Sequence, residues 1–90
     1  MHEIHITNSV EKKQCLRLID AIEHYGGKML DFEGRDQVKY HMDQLYIDFR
    51  IGDHIVTLHW EHYTGIYLLS DTATEQQLSL IWEGVKPFIK

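Results

Sequence analysis

Seven histidines in 90 residues are the first place to look for chemistry, because imidazole is both a metal ligand and a general base. Their spacing gives a metal ion little to hold. His2 and His5 lie three apart in an alternating segment, as do His59 and His62, and residues three apart on a strand face opposite ways. No two histidines stand four apart on a helix, and there is no Cys-x-x-Cys. The set nearest to a site is His59 with Glu61, alternate residues on one face, and Tyr46 across from His59. Two ligands and a phenol would hold a metal only weakly, and a half-exposed polar pair is the better account, so no metal and no cofactor is expected.

Nucleophiles fare no better. Cys15 falls on the apolar stripe of a predicted helix, away from the helix N-terminus that would activate a thiol. It is the sole cysteine, so no internal disulfide can form, and a reducing cytoplasm is the expected compartment. Ser70 and Ser79 sit in no motif. Gly26-Gly27 and Gly34 build neither G-x-x-x-x-G-K nor G-x-G-x-x-G. The carboxylates show no spacing that implies a catalytic pair. The chain does not read as an enzyme.

Its 14 acidic and 9 basic residues give a formal charge of −5. That argues against nucleic acid as a partner, which needs a basic face. Lys12, Lys13 and Arg17 form the one basic cluster, and they share a helix with Glu11, Asp20 and Glu23. An acidic surface suits a basic protein and would steer it in. The start, Met-His-Glu-Ile-His-Ile, lacks the pattern of a signal peptide. The apolar runs are too short to span a membrane.

The elements that must position these side chains are clearest at 44–70. If Gly52-Asp53 is a two-residue turn, Ile51 faces His54, Phe49 faces Val56, Ile47 faces Leu58 and Leu45 faces Trp60. Large apolar residues then gather on one face. A second turn at Thr64-Gly65 would set Trp60 opposite Leu69 and His62 opposite Tyr67. Upstream, Ile4 and Ile6 mark a strand, and Asn8 with Glu11 suggests a capping box, with Ser9 as a competing cap. Cys15, Leu18, Ile19, Ile22 and Tyr25 follow at helical spacing, predicting a helix over 9–24 that stops at Gly26-Gly27. Residues 28–33 read as a strand with Leu30 and Phe32 on one face. In 34–43, Val38, Tyr40 and Met42 alternate as in a strand, although Asp36, Val38 and Met42 could begin a helical turn. Thr72 with Glu75 suggests a second box, before Leu78, Ile81, Trp82, Val85 and Phe88 on one side of a final helix. Pro87 should fray its last turn.

The order β-α-β-(β)-β-β-β-α in a single domain predicts an α+β fold. It is a two-layer sandwich, a mostly antiparallel sheet with two helices on one face. The strand order is open, and the first two strands could be parallel neighbours through a right-handed crossover.

The other sheet face would then be uncovered. Alternation assigns it Tyr46, Asp48, Arg50, Ile55, Thr57, His59, Glu61 and Tyr63, with Ile66 and Leu68 joining. Aromatic and aliphatic residues rimmed by charge suggest a contact surface. Tyr46, Asp48, His59, Glu61 and Tyr63 are the candidate binding residues. A second candidate is the acidic stretch around Glu33 and Asp36, whose carboxylates could mimic phosphates toward a nuclease cleft.

The run Leu58-His59-Trp60-Glu61-His62-Tyr63-Thr64-Gly65-Ile66, followed by a capped helix, resembles small bacterial immunity proteins of contact-dependent growth inhibition systems. It resembles small uncharacterised bacterial domains as well. The first resemblance covers roughly a third of the chain and implies a cytoplasmic, non-enzymatic inhibitor of a cognate basic nuclease toxin. A homodimer using the open sheet face is the alternative reading, and a small-ligand binder or enzyme a further one.

Overall fold

Alternating apolar and polar residues drive the central hairpin. In the computed structural model, which describes residues 1–30 and 43–89, β3 (Gln44–Ile51) and β4 (His54–Glu61) pair antiparallel. Leu45 faces Trp60, Ile47 faces Leu58, Phe49 faces Val56 and Ile51 faces His54, as the Gly52-Asp53 turn requires. The apolar members of these pairs are buried, and the residues between them point to the other face.

The second turn differs from the expected one. Strand β5 (Gly65–Ser70) pairs Glu61 with Gly65, Trp60 with Ile66, Leu58 with Leu68 and His59 with Tyr67. The loop is therefore His62, Tyr63 and Thr64. A Thr64-Gly65 turn would have set Ile66 and Leu68 on the open face. Instead they are 0% and 1% exposed, and burying each aliphatic side chain is worth about 2 kcal/mol. Gly65 serves as a close-approach residue and not as a turn centre. Its φ is 107°, and it lies against the backbone of the first strand.

That strand, β1 (His2–Thr7), pairs with β5, setting Ile4 opposite Leu68 and His5 opposite Tyr67, with an irregularity between His5 and Thr7. The short β2 (Lys28–Leu30) pairs with β3, Met29 against Phe49. The sheet order is β1-β5-β4-β3-β2, antiparallel at every step. The first two strands are thus at opposite edges, not neighbours. Pairing with β5 sets Ile4 opposite buried Leu68 and packs it against the core, over more residues than the three of β2 could offer. The second half of the strand expected over 28–33, and the whole question of 34–42, lie outside the described residues.

Both helices cover the inner face. Helix α1 (Lys12–Tyr25) buries Cys15, Leu18, Ile19, Ala21 and Ile22, and α2 (Glu75–Val85) buries Leu78, Ile81 and Val85. This is an α+β sandwich of one sheet and two helices. The caps are displaced from their expected places. Glu11 is the N-cap of α1 without a side-chain bond. The nearby hydroxyls are used in the loop, where Ser9 N–H donates to Thr7 Oγ1 and Glu11 N–H to Ser9 Oγ. Gly26 closes α1 in the left-handed region (φ 114°), and the Gly26 and Gly27 N–H groups bond to Glu23 and Ile22 carbonyls. The capping box of α2 is Thr74 with Gln77, one pair later than expected. Thr72 is engaged by the sheet, accepting from Ile55 N–H. Buried Ser70 Oγ donates to Ile55 O and accepts from Thr72 and Ala73 N–H.

Trp60 is fully buried and donates from Nε1 to Val10 O, 3.1 Å, fastening the loop before α1 to the sheet. Trp82 is only half-buried, and Phe88, in the 3₁₀ turn Lys86–Phe88, is exposed, so the apolar stripe of α2 ends at Val85. No described helix is long and apolar enough to cross a membrane.

Candidate interaction face

The strand register sets four rings in one row on the outer face. Tyr46 on β3 faces His59 on β4, which faces Tyr67 on β5, which faces His5 on β1. Tyr46 and His59 stack at 4.2 Å and 8°, His59 and Tyr67 at 5.7 Å and 30°, and Tyr67 meets His5 at 4.8 Å and 42°. Cross-strand aromatic pairs of this kind stiffen a sheet. Because the planes of Tyr46 and His59 are nearly parallel, their faces turn to one another. What the row offers outward is ring edges and polar atoms. His59 Nε2 is buried, with no hydrogen-bond partner among the described residues.

Carboxylates flank this row. Glu3 is two residues from His5, Asp48 two from Tyr46 and Glu61 two from His59, so each shares a face with its neighbouring ring. Thr57, opposite Asp48, donates its hydroxyl to Asp48 Oδ1. Thr64 Oγ1 donates to Glu61 Oε2 at 3.1 Å, and His5 Nε2 lies 3.2 Å from Thr64 O. Among the described residues, Arg50 and Lys28, opposite one another, are the cations of this face and lie beyond Asp48. The face is thus acidic around the rings and basic at one end.

Of the expected binding residues, Tyr46, Asp48, His59 and Glu61 come together here. Tyr46 is 53% exposed. Tyr63 is 82% exposed in the loop after β4, beside the His62 ring, not on the strand. Ile66 and Leu68 leave the face for the core. Glu33 and Asp36 lie outside the described residues. His5 and Tyr67 were not among the expected site residues. Both depend on the β5 register, and the Thr64-Gly65 pair pointed to a different one.

Burial pushes the Cys15 thiol up to about 12, with nearby Lys12 acting weakly the other way. That keeps it protonated and unreactive. Among the described residues no three His, Cys, Asp or Glu side chains gather as a metal site. A depression of about 450 Å³ is lined by Arg17, Asp20, Glu23, His24 and Phe88, with the His24 and Phe88 rings stacked at 5.9 Å. Among its described lining residues, no nucleophile stands against a base.

No protein-family model matches the chain, nor does any curated protein or solved structure.

Proposed function

We propose that this chain acts by binding rather than by catalysis, and that it docks a basic protein surface through the outer sheet face. The observation that carries this reading is the row His5, Tyr67, His59 and Tyr46, with Glu3, Asp48 and Glu61 beside it. Rigid aromatics supply contact area at low entropic cost, and they are typical anchors of protein interfaces. The adjoining carboxylates, with the net charge of −5, favour a cationic partner and speed its approach. The specific form we infer is an immunity-type inhibitor of a cognate basic nuclease toxin. The resemblance of residues 58–66 and the overall acidity support it.

The test is affinity capture from the native host, followed by purification of the captured protein and binding kinetics with face variants. A basic partner whose binding depends on Tyr46 and Asp48 supports the reading. A partner indifferent to both residues sinks it.

A further inference from the structure

The sheet ends at β1, and the described residues place no strand on its far side. This edge carries incompletely covered apolar residues. Ile4, Ile6 and Trp82 all pack against the core, yet each is only half-buried. Helix α2 packs over β1. Its Gly84 lies against the Tyr25 ring of α1, where an added Cβ would come within 2.3 Å. Trp82 is two residues back, about 200° around the helix, so it lies on the flank away from α1. With α1 on one side of α2, that flank looks toward the β1 edge.

We propose that β1 and the Trp82 flank of α2 form a two-fold interface between two copies of this chain. The residue order of β1 fits a second copy of itself. Paired antiparallel about Ile4, Glu3 faces the partner's His5 and His5 faces the partner's Glu3. Ile4 meets Ile4 on the axis, and His2 faces the partner's Ile6. Moving the centre to Glu3 would set two carboxylates opposite one another, which destabilises a strand pair. Ile4 is also the centre that the backbone favours, because the regular part of β1 ends at the irregularity after His5. The pairing satisfies edge N–H and C=O groups that otherwise face water. It also brings the half-buried Ile4, Ile6 and Trp82 of each copy to one seam. A two-fold axis normal to the sheet leaves both aromatic rows on the same side. Glu3 and His5 border the outer face as well, whereas Ile4, Ile6 and Trp82 pack on the core side. The Ile4→Cys cross-link therefore tests the edge without touching the rings of the binding face.

Sedimentation equilibrium over a concentration series tests it, together with Ile4→Cys in a Cys15→Ala background. Facing residues in an antiparallel pair have Cα atoms about 4.5–5.5 Å apart, within the roughly 4.4–6.8 Å that a disulfide spans. The expected result is a mass rising toward twice that of the chain, and oxidation of the Ile4→Cys protein to a cross-linked dimer with the parent's circular dichroism. His5→Glu should return the protein to monomer, and Glu3→His combined with His5→Glu should restore the dimer. The mass of one chain at every concentration overturns the proposal. So does a dimer that Ile4→Cys fails to cross-link, or one abolished by Tyr46→Ala but indifferent to the edge variants. Should His5→Glu fail to fold, the cross-link still decides.

Discussion

Gly65 lies so close to the first strand that a Cβ on it would stand 2.0 Å from the carbonyl oxygen of Thr7. Its φ of 107° disfavours any other residue as well. Gly65→Ala must therefore push β1 off β5 or strain the backbone, at a cost of about 1–3 kcal/mol for the strain alone. Urea denaturation should show a midpoint lowered by at least that equivalent. An unchanged midpoint would mean that β1 does not pack where the structure places it.

The two tryptophans should behave differently. Trp60 is 1% exposed and donates to Val10 O. Trp60→Ala should cost about 3–5 kcal/mol, much of what a small domain has, and leave a largely unfolded product. Trp82, half-buried on α2 with Lys86 Nζ 6.0 Å over its ring, should cost distinctly less in the isolated chain. Thermal melts of the two variants side by side are sufficient. Equal losses would contradict the burial described above.

Cys15 predicts an alkaline weakness. Its thiol stands at about 12 in the folded chain against 9.0 when solvated, because burial penalises the thiolate. A raised value means that the folded state keeps its proton while the unfolded chain can lose it. The stabilisation is therefore complete below pH 9.0 and drains away as pH rises toward 12, at about 1 kcal/mol per pH unit. Cys15→Ala lacks this term. The stability of wild type relative to Cys15→Ala should fall steadily above pH 9.0, and the native thiol should resist alkylation at neutral pH. A constant difference across that range would refute the burial of this thiol.

On the outer face, charge and ring substitutions should separate kinetically. Asp48→Lys and Glu61→Lys should slow association with the captured partner, by an amount that shrinks in high salt. Tyr46→Ala and Tyr63→Ala should speed dissociation, by roughly five- to thirtyfold for an anchor worth about 1–2 kcal/mol. All four should fold, since Tyr46, Asp48 and Tyr63 are exposed and Glu61 half-exposed, none of them in the core. If all four bind as wild type does, while Glu33→Ala with Asp36→Ala abolishes binding, the site belongs to the acidic stretch instead.

The hairpin of β3 and β4 was legible in the sequence because Ile47, Phe49, Val56 and Leu58 alternate on both sides of an unambiguous turn. A one-residue slip would have turned the apolar residues of one strand to the solvent. The next turn was not legible, because Gly65 satisfies two demands that look alike in sequence. A turn centre and a close backbone contact both call for glycine, and Thr7, which makes the contact, is distant in the chain. With that register went Tyr67 and His5. Cap positions failed for a similar reason. Thr72 and Thr74 each have a suitable side chain three residues on, and only the hydrogen bond from Ile55 to Thr72 distinguishes them. Tyr46, Asp48, His59 and Glu61 could be placed on one face in advance, since they depend on the legible hairpin alone.

The strand order has a consequence for how the chain assembles. Strands β3, β4 and β5 pair with their neighbours in sequence across short loops, which close quickly. Among the described strands β1 is made first, yet its partner β5 is made last, with His2 set against Ser70. Its docking must wait for β5 and closes the longest loop among the described strand pairings. Native-state hydrogen exchange should register that history. The amides that bind β1 to β5 should open at lower free energy than those between β3 and β4, making the amino-terminal strand the latch of the fold and not its nucleus.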